Sequence, residues 1–260
     1  MKIGNDIDIG HIHTLEYIKH HAPRVPIPDI HGILQQPNSN RIFFLMSRAP
    51  GEPLDSKWEF LGENEKSSIR EQLDTIVGYF RFLPAPVTDE TQAVLGGGSP
   101  RRCKDARREV RVAQGCISNE RQFNEFLTSH PHRAQAGSIS MIKSYLTDDH
   151  KVFLAHGDFH PRNIMVLTRL NDPVADGALP KESLCTTNGT VNQSTTRITI
   201  TGILDWEMCG WYPEYWEYVK ALNTITPGSD LGDWWAYLPQ KIGIWPREHA
   251  VDLMLSRWHG

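Results

Sequence analysis

This chain lacks the features that mark several large classes of protein. Its four cysteines, Cys103, Cys116, Cys185 and Cys209, lie far apart and form no Cys-x-x-Cys pair. That argues against a disulfide framework or a paired-thiolate zinc site and suits reduced thiols in the cytoplasm. There is no apolar run approaching a membrane span and no signal-peptide core near the start, so a membrane is not an expected partner. Charge of one sign is scarce too. With 27 Lys and Arg against 31 Asp and Glu, the net charge is −4, which argues against nucleic acid or an anionic membrane surface as the main partner. No internal repeat occurs. Asn188 and Asn192 head Asn-x-Ser/Thr triplets, but they sit in a Ser/Thr/Asn-rich stretch where such triplets arise by composition.

What is present is ordinary globular material: 260 residues, 39% hydrophobic and 22% charged, enough for one large domain or two modest ones. Leu15 and Ile18 stand at helical spacing, and Pro23, Pro26 and Pro28 close that helix. Two apolar runs, residues 30–34 and 42–46, flank the turn-rich "QQPNSN" and predict an antiparallel strand pair. After the connector "SRAPGEPL", Ile69, Leu73, Ile76, Val77 and Phe80 predict a long amphipathic helix. Phe123, Phe126 and Leu127 mark a further helix, and Ile139, Ile142, Tyr145 and Leu146 another. "KVFLA", "NIMVL" and "RITITGIL" are strands, the last two forming a hairpin. Residues 169–196 between them are long and polar and predict a disordered surface insertion. Pro213 and Pro246 each stand where a helix should begin. The basic run from Arg101 to Arg111 reads as a solvated face.

The chemistry is concentrated in "LAHGDFHPRNIMV". His156, Asp158 and Asn163 fall at positions one, three and eight of the protein-kinase catalytic-loop pattern H-R-D-L-x-x-x-N. In that design the aspartate accepts the proton of an attacking hydroxyl and the asparagine helps hold magnesium. A second acid is needed after the next apolar strand to hold the metal that bridges the nucleotide phosphates, and "GILDWE" supplies Asp205 there. Either motif alone is weak. In this order, each after an apolar strand, they form a strong signal.

"HGDFHPRNIMV" followed by "GILDWEMCGWYPEYWEYVKAL" resembles the aminoglycoside phosphotransferase family, and most of all its fungal branch. The resemblance extends through "RQFNEFL", "MSRAPGEPL" and "HHAPRVPIPDI", most of the chain apart from the insertion. It implies an α+β, protein-kinase-like two-lobe fold with a mostly helical C-lobe. It further implies ATP- and Mg2+-dependent phosphorylation of a hydroxyl on a small molecule. Asp158 would be the base, Asn163 and Asp205 the magnesium ligands, and His156 a support for the loop. Backbone groups of Met46, Ser47, Arg48 and Ala49 would hold the adenine. Residues 1–47 would form a partial N-lobe, 48–54 the hinge, and 55–260 the C-lobe.

The front departs from the kinase-like pattern. "MKIGNDIDIGHIHTLEYI" resembles the end of the lysine strand and the helix after it, which makes Lys2 the phosphate-binding lysine. The glycine-rich hairpin that should precede it is absent from the sequence, and His11 takes the place of the partner glutamate. The expectation is a truncated N-lobe, a frayed Lys2 and weakened catalysis, in a gene fragment or a kinase-like scaffold. A two-metal phosphoesterase, suggested by "DIHG" and "GDFH", needs an Asn-His pair, and no Asn-His dipeptide occurs. His160 and Arg162 read as positioning residues, and Trp206, Trp211 and Trp216 as core.

Overall fold

A short strand, β1 (Lys2–Asn5), leads into helix α1 (Ile12–His21), whose buried Leu15 and Ile18 face inward. Lys19, His20 and His21 fill its last turn, where positive charge suits the exposed carbonyls. The computed structural model describes residues 2–5, 9–86, 94–107, 109–131, 134–170, 196–223, 225 and 228–259. Strands β2 (Ile30–Gln35) and β3 (Arg41–Met46) pair antiparallel as their apolar runs predict, with Ile33 opposite Phe44. The other side of β3 carries β1, with Lys2 opposite Phe44, so the sheet runs β1-β3-β2. Lys2 is therefore held in a ladder rather than frayed.

The connector "SRAPGEPL" passes through β4 (Glu52–Pro53) and α2 (Asp55–Trp58) into α3 (Glu63–Phe80). Glu65 accepts the Gly62 N–H at 2.8 Å, satisfying one donor of the helix start. Ile69, Leu73, Ile76, Val77 and Phe80 are the buried stripe. An antiparallel ribbon follows, β5 (Lys104–Ala106) with β6 (Val110–Val112), which the sequence did not announce. Asn119 caps α4 (Glu120–Thr128) by accepting from Gln122 N at 3.0 Å. Helix α5 (Ala136–Lys143) stops short of Tyr145, which is exposed.

Strand β7 (Val152–Ala155) delivers the chain into the polar loop, and β8 (Ile164–Leu170) leaves it. Then β9 (Thr196–Ile203) pairs back antiparallel from Ile164↔Ile203 to Leu170↔Thr196, and β4 extends this sheet on the far side of β8. The predicted insertion, apart from its ends, lies outside the described residues. The outer edge of β9 is covered by α3: Gln72 accepts from Ile200 N at 3.0 Å and donates to Ile198 O at 2.9 Å. One side chain thereby satisfies a donor and an acceptor of an otherwise open edge.

Two elements correct the sequence reading. Pro213 does not begin a helix; it ends strand β10 (Gly210–Pro213), paired with β7, and α6 (Trp216–Asn223) starts three residues later. A residue without an N–H is tolerated at the end of a ladder. Pro246 does open its helix, α7 (Pro246–His259). The basic run is not a solvated face: Arg101 and Lys104 are buried, as are the Arg107 side chain and Asp105. Lys220 Nζ and Arg107 Nε lie 2.6 and 2.7 Å from the Asp105 carboxylate, and Arg107 Nη2 lies 2.6 Å from Asp252. These charges pin the β5–β6 ribbon to α6 and α7. They hold the Asp105 carboxyl down at about 2, against a burial that would raise it.

Apolar packing falls in two clusters. One gathers α1, α3, β8 and β9 around Trp58, Trp206 and Trp234; the other joins α4, α6 and α7 through Phe123, Tyr212 and Trp216. Trp206, Trp211 and Trp216 are all buried, as expected of core residues. Among the described residues no helix is long and apolar enough to cross a membrane.

Candidate functional site

The loop between β7 and β8 is rigid because its backbone is used on every side. His156 is wholly buried; its Nδ1 accepts from Asp158 N at 3.2 Å and its Nε2 faces Leu204 O at 2.8 Å. That pairing fixes a ring with Nε2 as donor and Nδ1 as acceptor. His156 also lies 4.6 Å from the Trp206 ring, so it ties the loop to the end of β9 without facing solvent. Gly157 takes φ +79°, and a Cβ there would stand 2.6 Å from Met208 O. Further on, Pro161 opens a one-turn 3-10 helix, Pro161–Asn163, begun by His160 Nδ1 accepting from Arg162 N at 3.0 Å.

The polar groups converge. Asn163 Nδ2 donates to Asp158 Oδ2 and to Asp158 O, both at 2.9 Å. This commits the amide nitrogen and leaves Asn163 Oδ1 as the atom suited to a cation. Arg162 Nη2 donates to Asp158 Oδ1 at 2.8 Å and to Oδ2 at 2.9 Å. Burial and the neighbouring Arg162 charge push the His160 ring down to about 4, so it is neutral at pH 7. Asp205, just past β9, has φ +61°, a left-handed conformation uncommon outside glycine and tolerated by aspartate.

Lys2 reaches this point from the opposite sheet. Its Nζ lies 2.9 Å from Asp205 Oδ1 and 2.6 Å from Glu207 Oε2. Burial opposes the Lys2 charge, but hydrogen bonds to Glu207 and Asp205 outweigh it and raise the lysine pKa. Lys2 thus has an ion pair, supplied by Glu207 and Asp205 rather than by α1. His11, at the expected glutamate position, is buried edge-on to Phe44. Lys2, His11, Met46, Asn163, Asp205 and Trp206 line one cavity of about 290 Å³, walled otherwise by Leu15, Ile27, Pro28, Ile30, Phe44 and Leu204. An apolar cleft with a few convergent polar groups is the usual form of a small-molecule site. Of the four proposed adenine-holding residues, Met46 lines it. Ser47 is engaged with Asp29, giving its N–H to Asp29 O at 2.8 Å and accepting from Asp29 N at 2.7 Å, while Arg48 and Ala49 continue the connector.

The oxygen donors here, Asn163 Oδ1 and the carboxylates of Asp205 and Glu207, suit a hard cation such as magnesium. Such an ion takes one or two carboxylates and completes its shell with water and phosphate. Among the described residues no group of three or more His, Cys, Asp or Glu side chains forms a metal cage.

Two acids of this region went unassigned in the sequence. Glu207 stands two residues after Asp205, and its repeat of the acidic type in "DWE" was the available signal. Glu217, on α6, is wholly buried and accepts from His156 N at 2.5 Å and Gly157 N at 3.2 Å. It orients the loop from below, and burial pushes its own carboxyl up. A third element is "GGG" at 96–98. Gly96 bridges Trp211, and a Cβ at Gly97 would stand 1.9 Å from Cys209 O, so the stretch after Asp205 is braced by backbone contact. Lys104 Nζ adds a bond to Glu207 O at 2.6 Å.

This arrangement of sheets, helices and polar loop shares its fold with solved aminoglycoside 2'-phosphotransferase-IIIa. The GDP complex of wild-type aminoglycoside 2'-phosphotransferase-IIIa superposes with a TM-score of 0.50 at 16% identity, over 94% of this chain and 69% of that one. A GDP complex of a mutant of that enzyme gives 0.50 and 16% over 95% and 69%. Aminoglycoside-3'-phosphotransferase of type VIII gives 0.47 and 10% over 100% and 77%. At such identity the likeness shows the fold alone. No protein-family model matches the chain, and no curated protein sequence matches it.

Proposed function

We propose that this chain is an ATP-dependent phosphotransferase that moves the γ-phosphoryl group to a hydroxyl of a small molecule. The observation that carries it is the convergence of Asn163, Asp205 and Lys2 on one cleft from three separate parts of the chain, with Asp158 hydrogen-bonded to Asn163. Residues 1–47 act as the N-lobe, 48–54 as the hinge and 55–260 as the C-lobe, with the nucleotide between them. Two of the structural neighbours are GDP complexes, which supports nucleotide binding.

In this reading the apolar walls and the backbone of residues 46–49 hold the base. Lys2 turns from Asp205 toward the phosphates. Asn163 Oδ1 and Asp205 would hold magnesium, which would supply positive charge to offset that of the transferring group. Asp158 accepts the proton of the acceptor hydroxyl as its oxygen attacks phosphorus in line. His156 and Glu217 position the loop and touch neither reactant.

Isothermal titration of the purified chain with ATP, with and without Mg2+, tests the reading, followed by a screen of hydroxylated metabolites for ATP-dependent phosphorylation. Magnesium-dependent ATP binding is expected. A chain that binds no ATP under either condition overturns the proposal.

A further inference from the structure

The Asp158 carboxylate is occupied before any substrate arrives. Oδ1 accepts from Arg162 Nη2, and Oδ2 accepts from the same nitrogen and from Asn163 Nδ2, at 2.8, 2.9 and 2.9 Å. A carboxylate has about four acceptor sites, so three hydrogen bonds from these two nitrogens leave it close to saturated. The two partners differ in freedom. Asn163 is buried and held in the 3-10 turn. Apart from Asp158 itself, Arg162 is held only at its backbone, by the bond from its N–H to His160 Nδ1; its side chain is 44% exposed, against 18% for Asp158. Among the described residues, Nη1 and Nε of Arg162 make no hydrogen bond. The guanidinium can therefore swing off while its Cα stays in place.

We propose that Arg162 is a positioning residue that caps Asp158 until an acceptor displaces it, so that water is not used in the acceptor's place. This rests on the phosphotransfer reading and goes beyond it. With Arg162 Nη2 on both carboxylate oxygens and Asn163 Nδ2 on one of them, an incoming hydroxyl finds little acceptor capacity left on Asp158 until the guanidinium moves. A water molecule brings no other contacts with which to offset loss of the ion pair. A bound acceptor does, and its remote contacts can drive the guanidinium away, as in induced-fit selection of substrate over water. Uncapped, Asp158 takes the proton of whichever hydroxyl is present. With water, the oxygen bonds to the γ-phosphorus, the bond to the β–γ bridging oxygen breaks with its electron pair leaving on ADP, and inorganic phosphate is released. With an acceptor, the same events yield the phosphorylated alcohol.

The test measures phosphate release by the full chain with ATP and Mg2+ and no acceptor, alongside ATP affinity and melting temperature. Arg162→Met should raise release about tenfold, the usual scale for losing a charge-assisted pair on the base. Arg162→Lys, which keeps a cation there, should stay near wild type, and Asp158→Asn/Arg162→Met should fall below it. A merely structural role for Arg162 would lower release in the Met variant. Release at or below wild type in Arg162→Met, with ATP binding intact, overturns the cap while leaving phosphotransfer standing. A high rate persisting in the double variant overturns it as well, because the base would then not be Asp158. If the wild-type chain binds no nucleotide, the phosphotransfer reading fails and takes this proposal with it.

Discussion

The molecule uses the same pair, carboxylate with Lys or Arg, at the cleft and in a buried network, under opposite conditions. At the cleft, Lys2, Asp205 and Glu207 keep 41%, 40% and 38% of their side-chain surface. In the network between the β5–β6 ribbon and helices α6 and α7, Arg107, Asp105, Lys220 and Asp252 keep 5% or less. Distances do not separate the two sets, since both lie near 2.6–2.9 Å. Water does. An exposed pair exchanges partners at little cost, whereas a buried one that loses a member strands a charge in a poor solvent. In the proposed function the cleft pairs open for phosphate and metal, while the network only has to hold.

The largest expected break on the cleft side is chemical. Asp158→Asn should leave ATP affinity and melting temperature near wild type and lower phosphoryl transfer by roughly 10²–10⁴-fold, the worth of a positioned acid–base group. Turnover within a few fold of wild type would remove Asp158 from the role of base. On the network side, Lys220→Met leaves Asp105 and Asp252 short of a cation and should cost about 3–5 kcal/mol in urea unfolding. A loss no larger than that of a surface mutation would mean that water reaches the network. Asp205→Ala should abolish the magnesium dependence of ATP binding with little change in unliganded stability; a response like wild type would move the metal elsewhere. Lys2→Met should lower stability by no more than about 1 kcal/mol, as exposed pairs do, yet weaken ATP binding.

Acid should reach the two regions in turn. His160 titrates near 6.5 when unfolded but only at about 4 in the fold. It therefore stabilises the fold above pH 6.5, and that contribution is lost as pH falls from there to about 4. Asp105, unfolded near 3.8 and folded at about 2, gives up its share only across that lower window. Unfolding curves of His160→Gln should flatten the first step and leave the second. A first step that persists unchanged would assign it to another group.

Much of this was legible in the sequence where the signal is local. Spacing alone placed α1, α3, the β2–β3 pair and the β8–β9 hairpin, and it put Asp158, Asn163 and Asp205 at the ends of strands. What escaped depends on distant partners. Lys2 meets Glu207 across 205 positions, and Lys220 meets Asp105 across 115. The run from Arg101 to Arg111 has the composition of a surface, and only the approach of α6 and α7 buries it. Pro213 carries the same residue signal as Pro246, and whether it ends a strand or starts a helix was decided by β7 lying alongside.

The contact between Gly97 and the backbone of Cys209 also bears on descent. A place with no room for a side chain cannot drift, whatever happens to the chemistry nearby. Chains of this architecture that have given up phosphoryl transfer are free to vary at 158, 163 and 205, but not at 97 without rebuilding the loop after β9. Gly97 would then outlast the residues at 158, 163 and 205, and a relative that keeps the first and has lost the others could be recognised as a retired enzyme from its sequence alone.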